Sequence, residues 1–388
     1  MFSLRSSTEP CPRASSSAVS RRFTVLRSLL AIGAGGALSV SLLGASATAA
    51  PDQVGAAADT VSPAADDGLF GAADPTFDGV FRQSFAILGL QATGSRVPAD
   101  AIEWLIDQQC PDGSFTSYRA DTSAPCPEPD LEAFTGPDTN STSLAALALD
   151  AVGADDASAA AAAWLLDGQT RGGGWPYLAG GSPDTNSTGL ALAAIDALTP
   201  RGHKRSVRIA TNFLRRAQVP CGTERDDRFG MPYQAGLNPD TFSSSQSLLG
   251  LSGAFPVRER SQRRAVASVE CRPDDRVVDP VSGVARWISR LLNTSDGALP
   301  NTFDPSAIDW NSTAVSILGL VATRTSGIAT DRAVAALADN IEEYIGSDSG
   351  DRPAALGVSL LVTEATGSDP RDFGGADLTA RLLSTRQG

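Results

Sequence analysis

The sequence predicts an all-α fold, an α6/α6 barrel (toroid) of six inner and six outer helices. The first indication is a duplicated stretch: Pro-Asp-Thr-Asn-Ser-Thr stands at 137–142 and again at 183–188, each time ahead of a helix rich in alanine and leucine. Weaker copies follow at 238–254 and 307–323, and degenerate copies lie at 76–94 and 351–367. Repetition of one helical unit through 388 residues indicates a repeat architecture.

A second set of helical segments alternates with these copies, at 99–109, 157–169, 206–218, 282–293, 331–346 and 376–386. The first set is almost uncharged, whereas the second carries arginine, aspartate and glutamate. A helix that is apolar all round is buried and one with a charged face meets solvent, so we expect the first set to form the inner layer. Six pairs favour a closed barrel, with an open solenoid as the alternative.

The composition narrows the function classes. The formal net charge is −13, and residues 1–49 carry five arginines and one glutamate, so the remainder of the chain is still more acidic. Nucleic acid is disfavoured as a partner, because its binding needs clustered positive charge. Lys204 is the only lysine and His203 the only histidine, which excludes a metal site built from several histidines.

The N-terminus has the pattern of an export signal over residues 1–49. Arg21 and Arg22 precede a moderately apolar, glycine-rich run that ends at Ala47-Thr48-Ala49. Twin-arginine and general secretory export both fit, and a retained anchor is disfavoured because the run is short for a spanning helix. We expect residues 50–74 to form a flexible linker and residues 75–388 the toroid. The mature chain is then secreted or held in a bacterial cell envelope, with no transmembrane segment.

The remaining cysteines agree with export. Four cysteines follow the predicted signal, an even number that fits disulfides in an oxidising compartment: Cys110, Cys126, Cys221 and Cys271. Three pairings are possible, and the one that joins the nearest cysteines in sequence is Cys110–Cys126 with Cys221–Cys271. A four-cysteine zinc site is the weaker alternative, because no C-x-x-C pair occurs.

The junctions from outer to inner helices share a turn motif. Residues 104–115 and 164–177 both contain Trp-Leu, then Gln, then Gly followed by an aromatic residue. These turns resemble the repeats of the squalene-cyclase and protein-prenyltransferase β-subunit superfamily, over about residues 75–386, and the resemblance implies an α6/α6 toroid. The catalytic motifs of that superfamily are missing. The sequence has no Asp-x-Asp-Asp motif, and no Asp, Cys and His set falls on the predicted inner helices.

The inner-helix starts look most like the N-terminal domain of the transcobalamin and intrinsic-factor family, whose inner helices open with Asp-Thr. That resemblance implies a corrinoid such as cobalamin as ligand, and a separate lid protein or transporter component as partner, since that family's C-terminal β domain has no counterpart here. At the fourth inner-helix start only Asp309 matches the Asp-Thr pattern, because Trp310 stands where the threonine would be. The residues implied to bind the corrinoid amides are Asp138, Thr139, Asp184, Thr185, Asp240 and Thr241.

Physical chemistry gives the repeated motif two interpretations. Polar residues at a helix start accept hydrogen bonds from unpaired backbone N–H groups, so the motif is a strong helix cap. All inner helices of a barrel also start at one rim, where converging amides, carboxylates and aromatic rings suit a large polar ligand. The candidate ligand-binding set therefore adds Asn140, Asn186, Asn311, Trp175, Tyr177, Phe115 and Tyr233 to the aspartates and threonines.

Three function classes follow from these observations. The favoured hypothesis is an exported, non-catalytic binding protein that captures a large polar ligand at the rim. The first alternative is a toroid enzyme, either of the terpene cyclase or prenyltransferase type or a carbohydrate-acting hydrolase or lyase with paired rim carboxylates. The second alternative is an envelope scaffold for protein interactions. The missing catalytic motifs favour binding over catalysis.

Overall fold

The structure, a computed structural model, describes residues 67–199, 202–255, 269–325 and 327–387. The predicted export signal and all but the end of the predicted linker lie outside the described residues. The helices are α1 (Gly79–Ala92), α2 (Ala99–Asp107), α3 (Thr139–Ala151), α4 (Asp155–Gly168), α5 (Thr185–Leu198), α6 (Lys204–Ala217), α7 (Thr241–Leu251), α8 (Pro280–Thr294), α9 (Trp310–Ala322), α10 (Ile328–Asp339), α11 (Ile341–Ile345), α12 (Pro353–Thr366) and α13 (Leu378–Ser384).

Six of these helices form a closed inner ring. Helices α1, α3, α5, α7, α9 and α12 contact one another in that order, and α12 contacts α1 again. Helices α2, α4, α6, α8, α10 and α13 form the outer layer, and α11 is a short continuation of α10 after a break at Asn340. The predicted all-α barrel of six inner and six outer helices is confirmed, and the open solenoid is excluded by the contact between α1 and α12.

The inner helices are buried on all sides, as their uncharged sequences predict. In α3, for example, residues 144–149 are at most 2% exposed. The seam that closes the ring depends on glycine: a β-carbon on Gly357 of α12 would lie 2.2 Å from the carbonyl oxygen of Phe85 in α1. No other residue fits such a backbone approach, so Gly357 sets how closely the first and last inner helices pack.

Glutamine side chains tie three of the outer helices, α2, α4 and α6, to the outer helix that follows. Each Nε2 donates to a carbonyl oxygen in its own turn and to one in the first turn of the following outer helix. The pairs of acceptors are Gly113 (3.0 Å) and Ala157 (2.9 Å) for Gln109, Gly173 (2.9 Å) and Ser206 (3.1 Å) for Gln169, and Phe229 (2.8 Å) and Pro280 (3.1 Å) for Gln218. The Trp…Gln…Gly turns noted in the sequence are therefore repeat-to-repeat connectors.

The toroid begins before the predicted boundary at residue 75. Residues 67–71 lie beside the C-terminus, where Gly68 N–H donates to Gln387 O (2.9 Å) and Gln387 N–H donates to Leu69 O (2.8 Å). Phe70 is fully buried and its N–H donates to Gln83 Oε1 at 2.9 Å. The assignment of 50–74 to a flexible linker is wrong for this stretch, because Asp67-Gly68-Leu69-Phe70 forms a turn of the type found at Asp112-Gly113-Ser114-Phe115.

Two disulfides staple loops of the toroid, Cys110–Cys126 and Cys221–Cys271. These are the pairs closest in sequence among the three possible pairings. Each cross-link restricts the unfolded chain and contributes about 2–4 kcal/mol to stability. Both fit a protein that works in an oxidising compartment. Within the described ranges, every helix is too short or too polar to span a bilayer.

Candidate functional site

The four aspartates of the repeated motif cap four inner helices. Each carboxylate oxygen Oδ1 accepts a hydrogen bond from the backbone N–H of the serine three residues later. The distances are 2.7 Å for Asp138 to Ser141, 2.6 Å for Asp184 to Ser187, 2.6 Å for Asp240 to Ser243 and 2.8 Å for Asp309 to Ser312. A carboxylate here also faces the positive end of the helix dipole, so the capping interpretation accounts for all four.

The threonines of the motif fasten each inner helix to two loops. The hydroxyls of Thr139 and Thr185 donate to Pro176 O and Pro232 O, both at 2.6 Å, in the loop of the following repeat. The second threonine of the motif binds the preceding loop, since Thr188 Oγ1 accepts a hydrogen bond from Trp175 N–H at 2.9 Å. Equivalent bonds reach Thr142, Ser244 and Thr313 from Phe115, Met231 and Leu299.

The amide side chains of the motif form a row across three inner helices. Asn140 Nδ2 donates to Asn186 Oδ1 at 3.4 Å, and Asn186 donates in turn to Gln246 Oε1. Asn311, on α9, instead accepts from the hydroxyl of Tyr344 at 3.1 Å. The structure therefore brings Asn140 and Asn186 together as predicted and adds Gln246, which the sequence analysis did not select. The signal for Gln246 was present: it is a lone amide in an inner helix of small and apolar residues.

Asp138 and Asp184 are the two carboxyls with the most perturbed acidity. Both have no exposed surface. Burial raises the pKa of Asp138 to about 7, against the lowering effect of its hydrogen bonds from Ser141. Burial likewise raises the pKa of Asp184 to about 7, opposed by the hydrogen bonds from Ser187. Each carboxyl therefore holds a proton for part of the time near neutral pH.

The two carboxyls differ in their second oxygen. Asp184 Oδ2 accepts from the hydroxyl of Ser187 at 3.0 Å. Asp138 Oδ2 is buried and has no hydrogen-bond partner among the described residues. A buried oxygen without a partner favours the protonated form of the acid, so Oδ2 is where the proton of Asp138 would reside.

A tyrosine ring lies beside each of these carboxyls. Burial, followed by the charge of Asp138, raises the pKa of Tyr177 well above its usual value. Burial, with the charge of Asp184 and a hydrogen bond to it, raises the pKa of Tyr233 to about 12. Both tyrosines are half-buried, so each keeps contact with solvent while lying near a buried acid.

The second half of the rim is more open. Asp240 and Asp309 are both half-buried, although they make the same cap as the first two aspartates. Burial raises the pKa of Asp240, against hydrogen bonding from Ser243. Thr241 Oγ1 has two oxygen neighbours, Pro300 O at 3.0 Å and the Thr302 hydroxyl at 2.9 Å.

Two of the predicted aromatic wall residues are not at the mouth. Phe115 and Trp175 are fully buried in the core between the layers, and Trp175 Nε1 donates to Leu165 O at 2.6 Å. The preceding glycines explain this placement. Gly113 and Gly173 have φ angles of +93° and +96° and pack on the next outer helix, which turns each aromatic side chain inward. Of the predicted aromatic set, Tyr177 and Tyr233 remain at the rim.

The sequence analysis missed a group of exposed apolar side chains around the same rim. They all lie in loops that lead into inner helices, and each is at least 38% exposed: Phe77, Leu131, Phe134, Leu237, Phe303 and Ile308. A grouping of exposed apolar residues around one mouth is typical of an interaction or ligand-entry surface. Their positions just before the polar motif were the available signal.

The Asp-Thr pairs of the first half of the rim are buried, and Asp138 Oδ2 is their one side-chain oxygen without a hydrogen bond among the described residues. Asp138, Thr139, Asp184 and Thr185 are at most 3% exposed, and the hydroxyls and the Oδ1 atoms bond to the protein itself. Direct hydrogen bonds from these groups to corrinoid amides would require breaking the contacts that hold the repeats together. The candidate residues with open surface are Asn140, Tyr177, Tyr233, Asp240, Asp309 and Asn311.

Comparison with known proteins gives likenesses of fold. No protein-family model and no curated protein matches the sequence. Among solved structures, the chain is similar to ent-copalyl diphosphate synthase from Streptomyces platensis (TM-score 0.48, 16% identity), covering 75% of this chain and 51% of the synthase. It is similar to the type II terpene cyclase MstE from Scytonema (TM-score 0.46, 14% identity), covering 78% of this chain and 92% of that one. Candida albicans protein geranylgeranyltransferase-I matches over 56% of this chain and 66% of its own (TM-score 0.32, 15% identity).

The burial of the Asp-Thr pairs corrects the predicted function, because it leaves the corrinoid hypothesis without its binding groups. The prediction of a non-catalytic binding protein that captures a corrinoid through these pairs is therefore wrong. The likeness to the transcobalamin family finds no support among these structures.

Proposed function

We propose that this protein is a toroid enzyme in which a rim carboxyl, Asp138 first and Asp184 second, acts as a general acid. The observation that carries the proposal is the carboxyl of Asp138, which is fully buried, has a pKa raised by burial to about 7, and keeps Oδ2 without a hydrogen-bond partner among the described residues. A general acid is most effective when its pKa lies near the working pH.

The surroundings of Asp138 suit both states of such an acid. Burial holds the proton on the carboxyl before the reaction. When the Oδ2–H bond breaks and the proton passes to a substrate atom, the carboxylate that remains is stabilised by the N–H of Ser141 at 2.7 Å and by the N-terminal end of α3. Asp138 has no exposed surface, so the proposal requires the half-buried Tyr177 side chain near it to move aside before a substrate atom reaches Oδ2.

The exposed rim residues favour an amphiphilic substrate. Apolar side chains such as Phe77 and Phe303, 79% and 67% exposed, stand around a mouth whose inner edge carries amides and tyrosines. An apolar chain would contact the loop tips while a polar group meets Asn140 and Asn311, the amides of the motif that keep open surface. Linear isoprenoids with a polar head combine both features. The two disulfides indicate that the protein functions outside the cytoplasm, and we expect the predicted export signal to direct the chain there.

The experiment compares Asp138→Asn and Asp184→Asn with Asp309→Asn. Asparagine is as good an N-cap as aspartate, so all three variants should fold. The proteins are incubated with geranylgeranyl diphosphate, farnesyl diphosphate and the corresponding alcohols, and products are identified by mass spectrometry. We expect the wild type to isomerise or cyclise at least one substrate, and Asp138→Asn to lose about 100-fold or more of that rate.

The Asp309→Asn variant serves as the matched control. Asp309 is half-buried and its Oδ2 already accepts from the Ser312 hydroxyl at 2.7 Å, so its replacement should leave the rate within about twofold. Full activity in both the Asp138 and the Asp184 variants would refute the general-acid role. A folded wild type that converts none of these substrates would refute the isoprenoid substrate class.

A further inference from the structure

The outer layer of the toroid is divided by charge. Helices α2 and α4 carry only acidic residues: Asp100, Glu103 and Asp107 in α2, and Asp155, Asp156 and Asp167 in α4. The next two outer helices carry only basic ones: Lys204, Arg205, Arg208, Arg215 and Arg216 in α6, and Arg286 and Arg290 in α8. Because α6 and α8 are in contact, a basic surface lies on a strongly acidic protein.

Most of this positive charge is not neutralised by the protein. Arg290 pairs with Asp226, and Arg216 donates to the carbonyl oxygen of Gly172 at 2.8 Å. Lys204, Arg205, Arg208 and Arg286 are exposed, and within the described ranges none of them pairs with a carboxylate. These four residues are the basic stripe.

The basic stripe does not stabilise the fold. Lys204 and Arg208 stand four residues apart on α6, where like charges destabilise a helix. Both also lie near the positive end of the helix dipole, where an acidic residue would be favourable, as in α4 with Asp155 and Asp156. Folding alone does not account for this arrangement, which points to a ligand with the opposite charge.

We propose that the basic stripe binds a linear polyanion with a phosphate backbone, of the inorganic polyphosphate type. Guanidinium groups match phosphate oxygens in pairs, and three of the four residues are arginines. Lys204, Arg205 and Arg208 all stand in the first two turns of α6, which allows a short run of successive phosphates to contact the three side chains.

The shape of the surrounding charge favours a narrow chain over a membrane. The C-terminal end of α4, which carries Asp167, lies beside the start of α6, where Gln169 bonds to Ser206, and Asp226 and Asp227 lie in the loop beyond the C-terminal end of α6. A flat anionic bilayer would bring these carboxylates against its head groups, whereas a chain can follow α6 alone. Stacking of nucleic-acid bases is also disfavoured, because Phe213, the aromatic residue of α6, packs against Gly174.

The test is calorimetric titration of the purified protein with long-chain inorganic polyphosphate over a series of NaCl concentrations. The variant is Arg205→Gln with Arg208→Gln. The matched control is Arg96→Gln with Arg371→Gln, two exposed arginines outside the stripe, which changes the net charge by the same amount. Thermal unfolding checks that both variants fold.

We expect the wild type to bind and the stripe variant to bind roughly thirtyfold more weakly at about 0.1 M salt, with the slope of log K against log salt reduced by about 1.4–1.8. The control should match the wild type. Equal weakening in both variants would show that net charge alone is responsible and would overturn the proposal. So would absence of polyphosphate binding at low salt, tighter binding to anionic phospholipid vesicles, or tighter binding to single-stranded DNA.

Discussion

The two halves of the rim carry the same capping motif but hold it in different surroundings. At the starts of α3 and α5, Asp138 and Asp184 are fully buried beneath tyrosine rings. At the starts of α7 and α9, Asp240 and Asp309 make the same hydrogen bond while half-buried. An identical local structure thus gives fully buried carboxyls with a pKa of about 7 in one place and half-buried carboxyls in the other. The difference between the two pairs is the burial of the carboxyl, which depends on the residues that pack around each cap.

The largest expected effect is on stability when a buried cap is removed. Asp184→Ala leaves the N–H and hydroxyl of Ser187 and the hydroxyl of Tyr233 without their acceptor in a buried place, and we expect a loss of about 3 kcal/mol. In Asp309→Ala, the N–H of Ser312 loses its acceptor but can bond to water instead, so the free energy of unfolding should fall by about 1 kcal/mol. Urea unfolding of both variants measures the difference, and equal losses would mean that the two halves of the rim are equivalent.

The pH dependence of stability should also separate the halves. The pKa of Asp138 and of Asp184 is about 7 in the folded protein, raised from 3.8, so their contribution to stability is fully present below about pH 4 and is lost as pH rises through 7. Each pKa unit corresponds to about 1.4 kcal/mol. We expect Asp138→Asn and Asp184→Asn each to flatten the fall in melting temperature between pH 5 and 8.

Thr185→Val provides the control for that titration. It removes no ionisable group, so it should lower the melting temperature by a similar amount at every pH. A wild-type melting temperature that rises between pH 5 and 8 in step with Asp138 or Asp184 would contradict the raised pKa of these carboxyls.

The smallest expected difference concerns the threonines that bind the next loop. Thr185→Val leaves the buried carbonyl oxygen of Pro232 without its donor and should cost about 1.5 kcal/mol. Thr241→Val should cost about 0.5 kcal/mol, because the hydroxyl of Thr302, 2.9 Å from that of Thr241, can take over the bond to Pro300. Chemical denaturation of the Thr185→Val and Thr241→Val variants measures both losses. Equal losses would mean that Thr302 does not replace the hydroxyl of Thr241.

Most of the fold could be predicted because each repeat has the same sequence pattern, a charged helix alternating with an uncharged one. The helix pairs and the inner and outer layers follow from periodicity and charge, whereas the cysteine spacing left three disulfide pairings open. The break at Asn340 could not be predicted from apolar spacing, since it depends on the Asn340 amide donating to Ala336 O at 2.8 Å. The turn at 67–70 escaped notice because it is separated from the helices it completes by the whole length of the toroid.

The candidate site was only partly predictable. The sequence identifies Asp138 and Asp184, but their raised pKa depends on burial in the folded protein, and the neighbouring Tyr177 and Tyr233 come from loops of the following repeats. Trp175 and Phe115 were placed at the mouth because aromatic residues near polar ones suggest a binding wall. The positive φ angles of the glycines before them, which send both side chains inward, are properties of packing rather than composition.

The pairing of residues 67–71 with 385–387 has a consequence for how the molecule is made. A ribosome supplies residues 67–71 hundreds of residues before 385–387, so the ring stays open until the later segment has been made. The first and last segments that the structure describes also become neighbours, as if the toroid were a circle cut at one place. A chain reconnected there and opened at another surface loop would have the same neighbours in space, with a different repeat left to finish the circle.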